Sequence, residues 1–187
     1  MERVIEKREV AATERQGLGI SDVILIGILL AAGAVLKFFV GAVINFGMKP
    51  NFVIAMYCLA ILLIRPRLYE AAVIGILSGA ICQFFPGQPY INFASELVGA
   101  VAMSLLVRIP MTVRRISASP VVCTFLSTLV SGFSFVGIMY LLYYSGFNQN
   151  TTPTPLGIFL SIIFGTAFFN SVIVQGLYIP LKLALKK

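Results

Sequence analysis

The sequence predicts an all-α integral membrane protein: a bundle of six transmembrane helices with both termini in the cytoplasm. Three observations predict it. Of the 187 residues, 59% are apolar and only 11% charged, against about 25% charged in an ordinary soluble domain. With a mean hydropathy of +0.97, the chain has too few polar residues to cover a water-soluble core. Next, the apolar residues fall into six segments separated by charged or turn-forming residues. Last, the basic residues alternate with those segments. Arg3, Lys7, Arg8 and Arg15 precede the first; Arg65 and Arg67 join the second to the third. Arg108, Arg114 and Arg115 join the fourth to the fifth, and Lys182, Lys186 and Lys187 close the sixth. Six crossings put all of these on one face and leave only Lys37 and Lys49 opposite, so the positive-inside rule makes the crowded face cytoplasmic. Five crossings would scatter them.

Taken in order, residues 1–19 are a charged cytoplasmic arm with no function assigned, and 20–183 form a single membrane domain. The first apolar segment covers 20–36. The second and third, 52–64 and 71–85, fall short of the roughly 20 residues a helical crossing needs. They are either tilted partners among longer helices or a hairpin that enters without crossing. Arginines at the 65–67 turn and the sharp stop at Pro86 favour two full spans. The fourth, fifth and sixth cover 90–109, 118–144 and 156–183. The outer connections are an apolar, glycine-containing stretch (38–50), a short proline-rich turn (86–90) and a polar uncharged loop (145–155).

Several functions are excluded or disfavoured. Histidine is absent, which removes the commonest general base and metal ligand. Cys58, Cys82 and Cys123 are scattered without metal or redox spacing and read as small packing residues. No glycine-rich loop leads into lysine and Ser/Thr, so ATP hydrolysis would belong to other chains. No catalytic site, metal or cofactor is expected, and the net charge of +7 is accounted for by topology rather than by nucleic acid. No cleavable signal is expected, because the first residues are strongly charged and the following apolar stretch is too long.

Small residues mark where helices can approach closely in lipid. Gly75 and Gly79 in the third segment, and Gly157, Ser161 and Gly165 in the sixth, read as packing within the bundle. Gly27, Ala31 and Ala34 in the first, with Ala32 and Gly33 beside them, suit either internal packing or docking of another membrane subunit.

With the cytoplasmic charges set aside, Lys37, Lys49 and Glu96 remain. A carboxylate at helix-centre depth costs about 2.5–3.5 kcal/mol, so Glu96 should face protein, water or ligand. Asn92, Phe93 and Glu96 share a helical face by their spacing. The run 45–52 (NFGMKPNF) offers Phe46, Phe52, Asn45, Asn51 and Lys49, and Gln83, Phe84, Phe85, Gln88 and Tyr90 surround the next outer turn. An aromatic-lined site with few polar groups suits a planar molecule bearing both charges. Glu96 would take an ammonium and Lys49 a carboxylate. The competing reading is a structural ion pair between Glu96 and Lys49 or Lys37. In the sixth segment Asn170, a turn after Thr166, is a ligand candidate, whereas Gln175 reads as a helix bridge.

At these residues the chain resembles the substrate-binding S components of energy-coupling factor (ECF) transporters, and among them the tryptophan-transporter (TrpP) family. The carrying pieces are Gly33-Ala34-Val35-Leu36, Gly47-Met48-Lys49-Pro50-Asn51, Ile74-Gly75-Ile76, Ser78-Gly79 and Phe85-Pro86-Gly87-Gln88. Asn170-Ser171 and Tyr178-Ile179-Pro180 complete them. Where that family tends to carry an aspartate–lysine pair after the turn, this chain has residues 90–96 (YINFASE), with one acid and no lysine. The resemblance implies the six-helix S-component fold in the cell membrane and a small-molecule substrate, tryptophan first. It further implies capture from outside, toppling in the lipid bilayer and delivery to a transmembrane coupling subunit driven by two ATPases. Gly27, Ala31 and Ala34 match the region that meets that subunit. The alternatives are a vitamin-specific S component (riboflavin, thiamine or biotin) and a non-transport membrane assembly partner.

Overall fold

A computed structural model describes residues 17–43, 50–85, 90–109, 112–113, 116–117, 119–147 and 155–185. Among these residues six helices follow one another: α1 (Ile20–Val43), α2 (Val53–Ile64), α3 (Leu68–Cys82), α4 (Ile91–Leu106), α5 (Ser119–Tyr144) and α6 (Leu156–Ala184). Between α4 and α5, β1 (Thr112–Val113) and β2 (Ile116–Ser117) form an antiparallel pair, Thr112 opposite Ser117 and Val113 opposite Ile116. This short ribbon is an addition to the all-helical expectation.

Among the described residues, only α1, α5 and α6 are long and apolar enough to cross a membrane. At 1.5 Å per residue α2, α3 and α4 reach roughly 18–24 Å, against about 30 Å of hydrocarbon. Of the three, α2 is enclosed by protein, whereas α3 and α4 each keep an exposed apolar face. All twelve residues of α2 are buried, as expected of a helix apolar on every side, and α1, α3, α4, α5 and α6 all pack against it.

Local chemistry sets the ends. Asp22 lies in the first turn of α1 and accepts from the Gly19 N–H at 3.3 Å, a carboxylate where the helix dipole favours one. Glu70 does the same for α3, accepting from the Arg67 N–H at 2.7 Å. Helix α2 stops at Arg65, a non-glycine residue in the left-handed region (φ 52°, ψ 57°) whose N–H bonds Ile61 O, and Pro66 follows. Tyr90 is also left-handed (φ 69°) and donates its N–H to Gln83 Oε1 at 3.2 Å, closing the α3–α4 connection.

Helix α1 overruns its expected end at residue 36 and continues to Val43. Apart from Lys37 the added residues are apolar, contain no proline, and carry one glycine that costs only about 1 kcal/mol. Lys37 therefore belongs to a helix, not to a connection.

The small-residue stripes divide. A Cβ on Gly75 would come within 2.7 Å of Glu96 O and 2.8 Å of Leu97 Cα; one on Gly79 would come within 2.7 Å of Phe93 Cα. The α3 stripe thus lets two backbones touch, as expected. In α6 the expectation fails: nothing lies within 4 Å of a Cβ on Gly157 or Gly165, and Ser161 is exposed. That face is turned outward because α6 packs on α5 and α2 through Phe159, Ile163, Ala167 and Val174. On α1, Gly27 and Ala31 are exposed and Ala34 half-buried, while Gly33 packs on Val53 and Met56.

Candidate functional site

At the end of the bundle remote from residues 17–20 and 182–185, the apolar interior is interrupted by a connected set of polar side chains. Asn51, just before α2, donates from Nδ2 to Glu96 Oε1 at 2.5 Å. Its Oδ1 accepts from the Val53 N–H at 3.3 Å, an Asx-type turn leading into α2. Its backbone carbonyl accepts from Asn170 Nδ2 on α6 at 3.2 Å. Asn170 Nδ2 also reaches Thr128 Oγ1 at 3.4 Å, and its Oδ1, fully buried, has no hydrogen-bond partner among the described residues.

Glu96 is 2% exposed. Besides Asn51 it accepts from Ser131 Oγ of α5 at 3.3 Å. The Tyr57 hydroxyl of α2 lies beside the same carboxylate and Ser131 without completing a hydrogen bond to either. Deeper along α5, Ser127 donates to Gly99 O at 2.9 Å. Glycine at 99 is required here, because a Cβ would run into the Tyr57 hydroxyl and Ser131.

Lys37, 6% exposed, enters from α1. Its Nζ donates to Cys82 Sγ at 3.0 Å and sits 5.3 Å from the centre of the Phe85 ring, within cation–π range. Cys82 Sγ is 3.6 Å from Asn51 Nδ2. The ammonium and the Glu96 carboxylate are thus linked through Cys82 and Asn51, with no direct ion pair between them among the described residues. All six helices contribute to one layer holding a buried anion, a buried cation, two buried amides and a half-buried aromatic ring.

The structure brings together Glu96, Asn51, Asn170 and, beside Lys37, Phe85. Asn92 and Phe93 are half-buried at the start of α4, where their backbone packs on Gly79 of α3. They stand apart from the hydrogen-bonded set. Tyr90 is 77% exposed and faces away from it. Lys49, Phe46 and Gln88 lie outside the described residues, as does Asn45. Gln175 Oε1 is buried with no hydrogen-bond partner among the described residues.

Sequence reasoning treated Cys82 as mere packing and passed over Tyr57, Thr128 and Ser131. A signal for the α5 residues was present: Thr124, Ser127, Thr128 and Ser131 recur at three- and four-residue spacing in an apolar run, which places them on one helix face. All four are buried. Tyr57 and Cys82 carried no such pattern.

The described part of the layer thus offers one carboxylate, one ammonium, two amides and one aromatic ring. Comparison with curated proteins and with solved structures gives no match. A family model described as "Tryptophan transporter TrpP" matches residues 20–186, most of the chain. The chain belongs to the TrpP tryptophan transporter family, a family of ECF S components.

Proposed function

We propose that this chain is the substrate-binding membrane subunit of an ECF-type uptake transporter for tryptophan. It captures the amino acid from outside, topples in the bilayer, and releases it on a transmembrane coupling subunit driven by two ATPases. The termini face the cytoplasm in this reading, supported by the one-sided placement of the arginines and lysines. Membership in a transporter family and the absence of a nucleotide-binding motif argue for transport without catalysis on this chain.

One observation carries the substrate assignment: two opposite charges buried in one layer, Glu96 and Lys37, linked through Asn51 and Cys82, with Asn170 on the Asn51 carbonyl and Phe85 alongside. Buried charges without a direct mutual bond are costly, and a zwitterion that meets both relieves the cost. In this reading Glu96 holds the ammonium, Lys37 or Lys49 the carboxylate, and Phe85 the indole. Asn92, Phe93 and Tyr90, at the start of α4, serve the entrance in this reading, and Phe46 and Gln88 are proposed as further substrate contacts. The open Gly27 and Ala31 on α1, with Ala34, form the face that meets the coupling subunit, where small side chains permit close helix approach.

Calorimetric titration of purified protein in detergent tests the assignment. Tryptophan binding that weakens in Lys49→Ala and in Glu96→Ala is expected. No affinity for tryptophan alongside tight binding of a vitamin would overturn the substrate. Unchanged affinity in both variants would overturn the charge clamp.

A further inference from the structure

The α2–α3 turn carries a feature that solute binding does not use. Beside it opens a cavity of about 410 Å³, with Arg65, Arg67, Arg108 and Ser104 on its polar side and Ile61 and Val107 on its apolar side. Its size is that of a small-molecule site. Three arginines line it and no acid does; Arg67 Nη1 lies 3.4 Å from the Tyr69 hydroxyl. Glu70 and Asp22 line a neighbouring cavity that shares Arg65, Pro66 and Arg67 with this one. There Glu70 is occupied by the N–H groups of Leu18 and Arg67. Arg65 and Arg67 also hold partners within the protein, yet each guanidinium has five donors.

Two further observations point to a ligand. Ser104 is 2% exposed, and its hydroxyl has no hydrogen-bond partner among the described residues. A buried hydroxyl left unpaired is unfavourable, and an acceptor oxygen in the cavity would satisfy it. In addition, Arg65 keeps a side chain at a left-handed position (φ 52°) that glycine would occupy without strain. The side chain is retained where the backbone argues against one.

We infer that this cavity binds the phosphate of an anionic lipid headgroup, a phosphodiester of the phosphatidylglycerol kind. The guanidinium groups pair with the non-bridging oxygens, bidentate where the fork allows, and Ser104 donates to one of them. A free phosphate shares that chemistry. The lipid is favoured by the apolar half of the wall and by the outward-facing Leu105, Ile109 and Leu68 around it, which suit glycerol and acyl carbons. Basic pockets between membrane helices are a known mode of headgroup capture.

Native mass spectrometry of the full chain in detergent tests this, with phosphatidylglycerol, phosphatidylcholine of the same acyl chains, and inorganic phosphate as probes. Phosphatidylglycerol should be retained in preference to phosphatidylcholine. Arg65→Gly and Arg108→Gln should each lower its retention about tenfold, the scale of losing charged hydrogen bonds. Lys182→Gln, in the neighbouring cavity, should leave it unchanged. Equal retention of the two lipids, or inorganic phosphate displacing the lipid at equal concentration, would overturn the lipid assignment. So would variants that melt like the wild type and keep the lipid, or a loss in Lys182→Gln as large as in Arg65→Gly. If Arg108→Gln does not fold, Arg65→Gly decides alone, since glycine suits that backbone. Neither result bears on tryptophan binding, so the two readings fail separately.

Discussion

Replacing Glu96 by glutamine separates charge from shape at the centre of the buried layer. The carboxylate accepts from Asn51 at 2.5 Å and from Ser131 at 3.3 Å. Hydrogen bonds to a charged group are worth about 1.5–3 kcal/mol and neutral ones about 0.5–1.5 kcal/mol, so the exchange forfeits about 1 kcal/mol per bond. Removing a charge from membrane depth returns about 2.5–3.5 kcal/mol. The two effects nearly cancel, and Glu96→Gln should melt within a few degrees of the wild type or slightly above it. Binding has no such compensation. The substrate ammonium loses its ionic acceptor, a loss of about 1.5–3 kcal/mol, which is roughly a 10- to 150-fold weaker dissociation constant. Titration calorimetry with tryptophan and a thermal melt of the same sample read the two quantities together. A lowered melting temperature with affinity unchanged within about twofold would refute the reasoning, since the carboxylate would then serve Asn51 and Lys37 rather than a guest.

Gly79→Ala places a methyl 2.7 Å from the Phe93 Cα, a backbone atom that cannot rotate away. Overpacking of this kind costs about 1–3 kcal/mol, so the variant should melt lower; an unchanged melt would mean that α3 and α4 are not in backbone contact. A Cβ at Gly27 meets nothing within 4 Å, so Gly27→Leu tests an open position on α1. It should leave folding and tryptophan binding intact while lowering co-purification with the coupling subunit and uptake in cells, and wild-type uptake would remove the docking role. Arg65→Gly relieves a left-handed arginine, a strain of about 1 kcal/mol, and should raise the melting temperature; a fall would show that contacts of the arginine side chain outweigh the strain.

The helices were legible because their cause is local. Each apolar run between prolines, glycines or arginines had one stable option in lipid, a helix that satisfies its own backbone groups, and Arg65-Pro66-Arg67 announced the turn after α2. The end of α1 was not legible: the run 38–43 has no breaker, and helix continuation depends on a neighbour to bury Lys37, which Cys82 and Phe85 supply. Of the site, Glu96 was conspicuous as an acid in an apolar segment, and Asn51 and Asn170 as amides. Their mutual bonds run between residues 45 and 119 positions apart in the chain, a separation that no spacing rule reaches. The α6 stripe misled for the reverse reason. Small residues permit close approach, but whether a partner helix comes near is decided by the opposite face.

Composition and charge order alone settled that the chain lives in a membrane as a helical bundle, because solvation of apolar surface and of backbone groups is a property of each segment separately. Which segments would be central was decided only by assembly. Helix α2 is too short to cross by itself and is buried at every position because five others enclose it. The meeting of Lys37, Cys82, Asn51 and Glu96 follows from that enclosure. A polar group in an apolar interior takes whichever partner the neighbouring helices carry to its depth, and depth is a relation between helices that no single stretch of sequence contains.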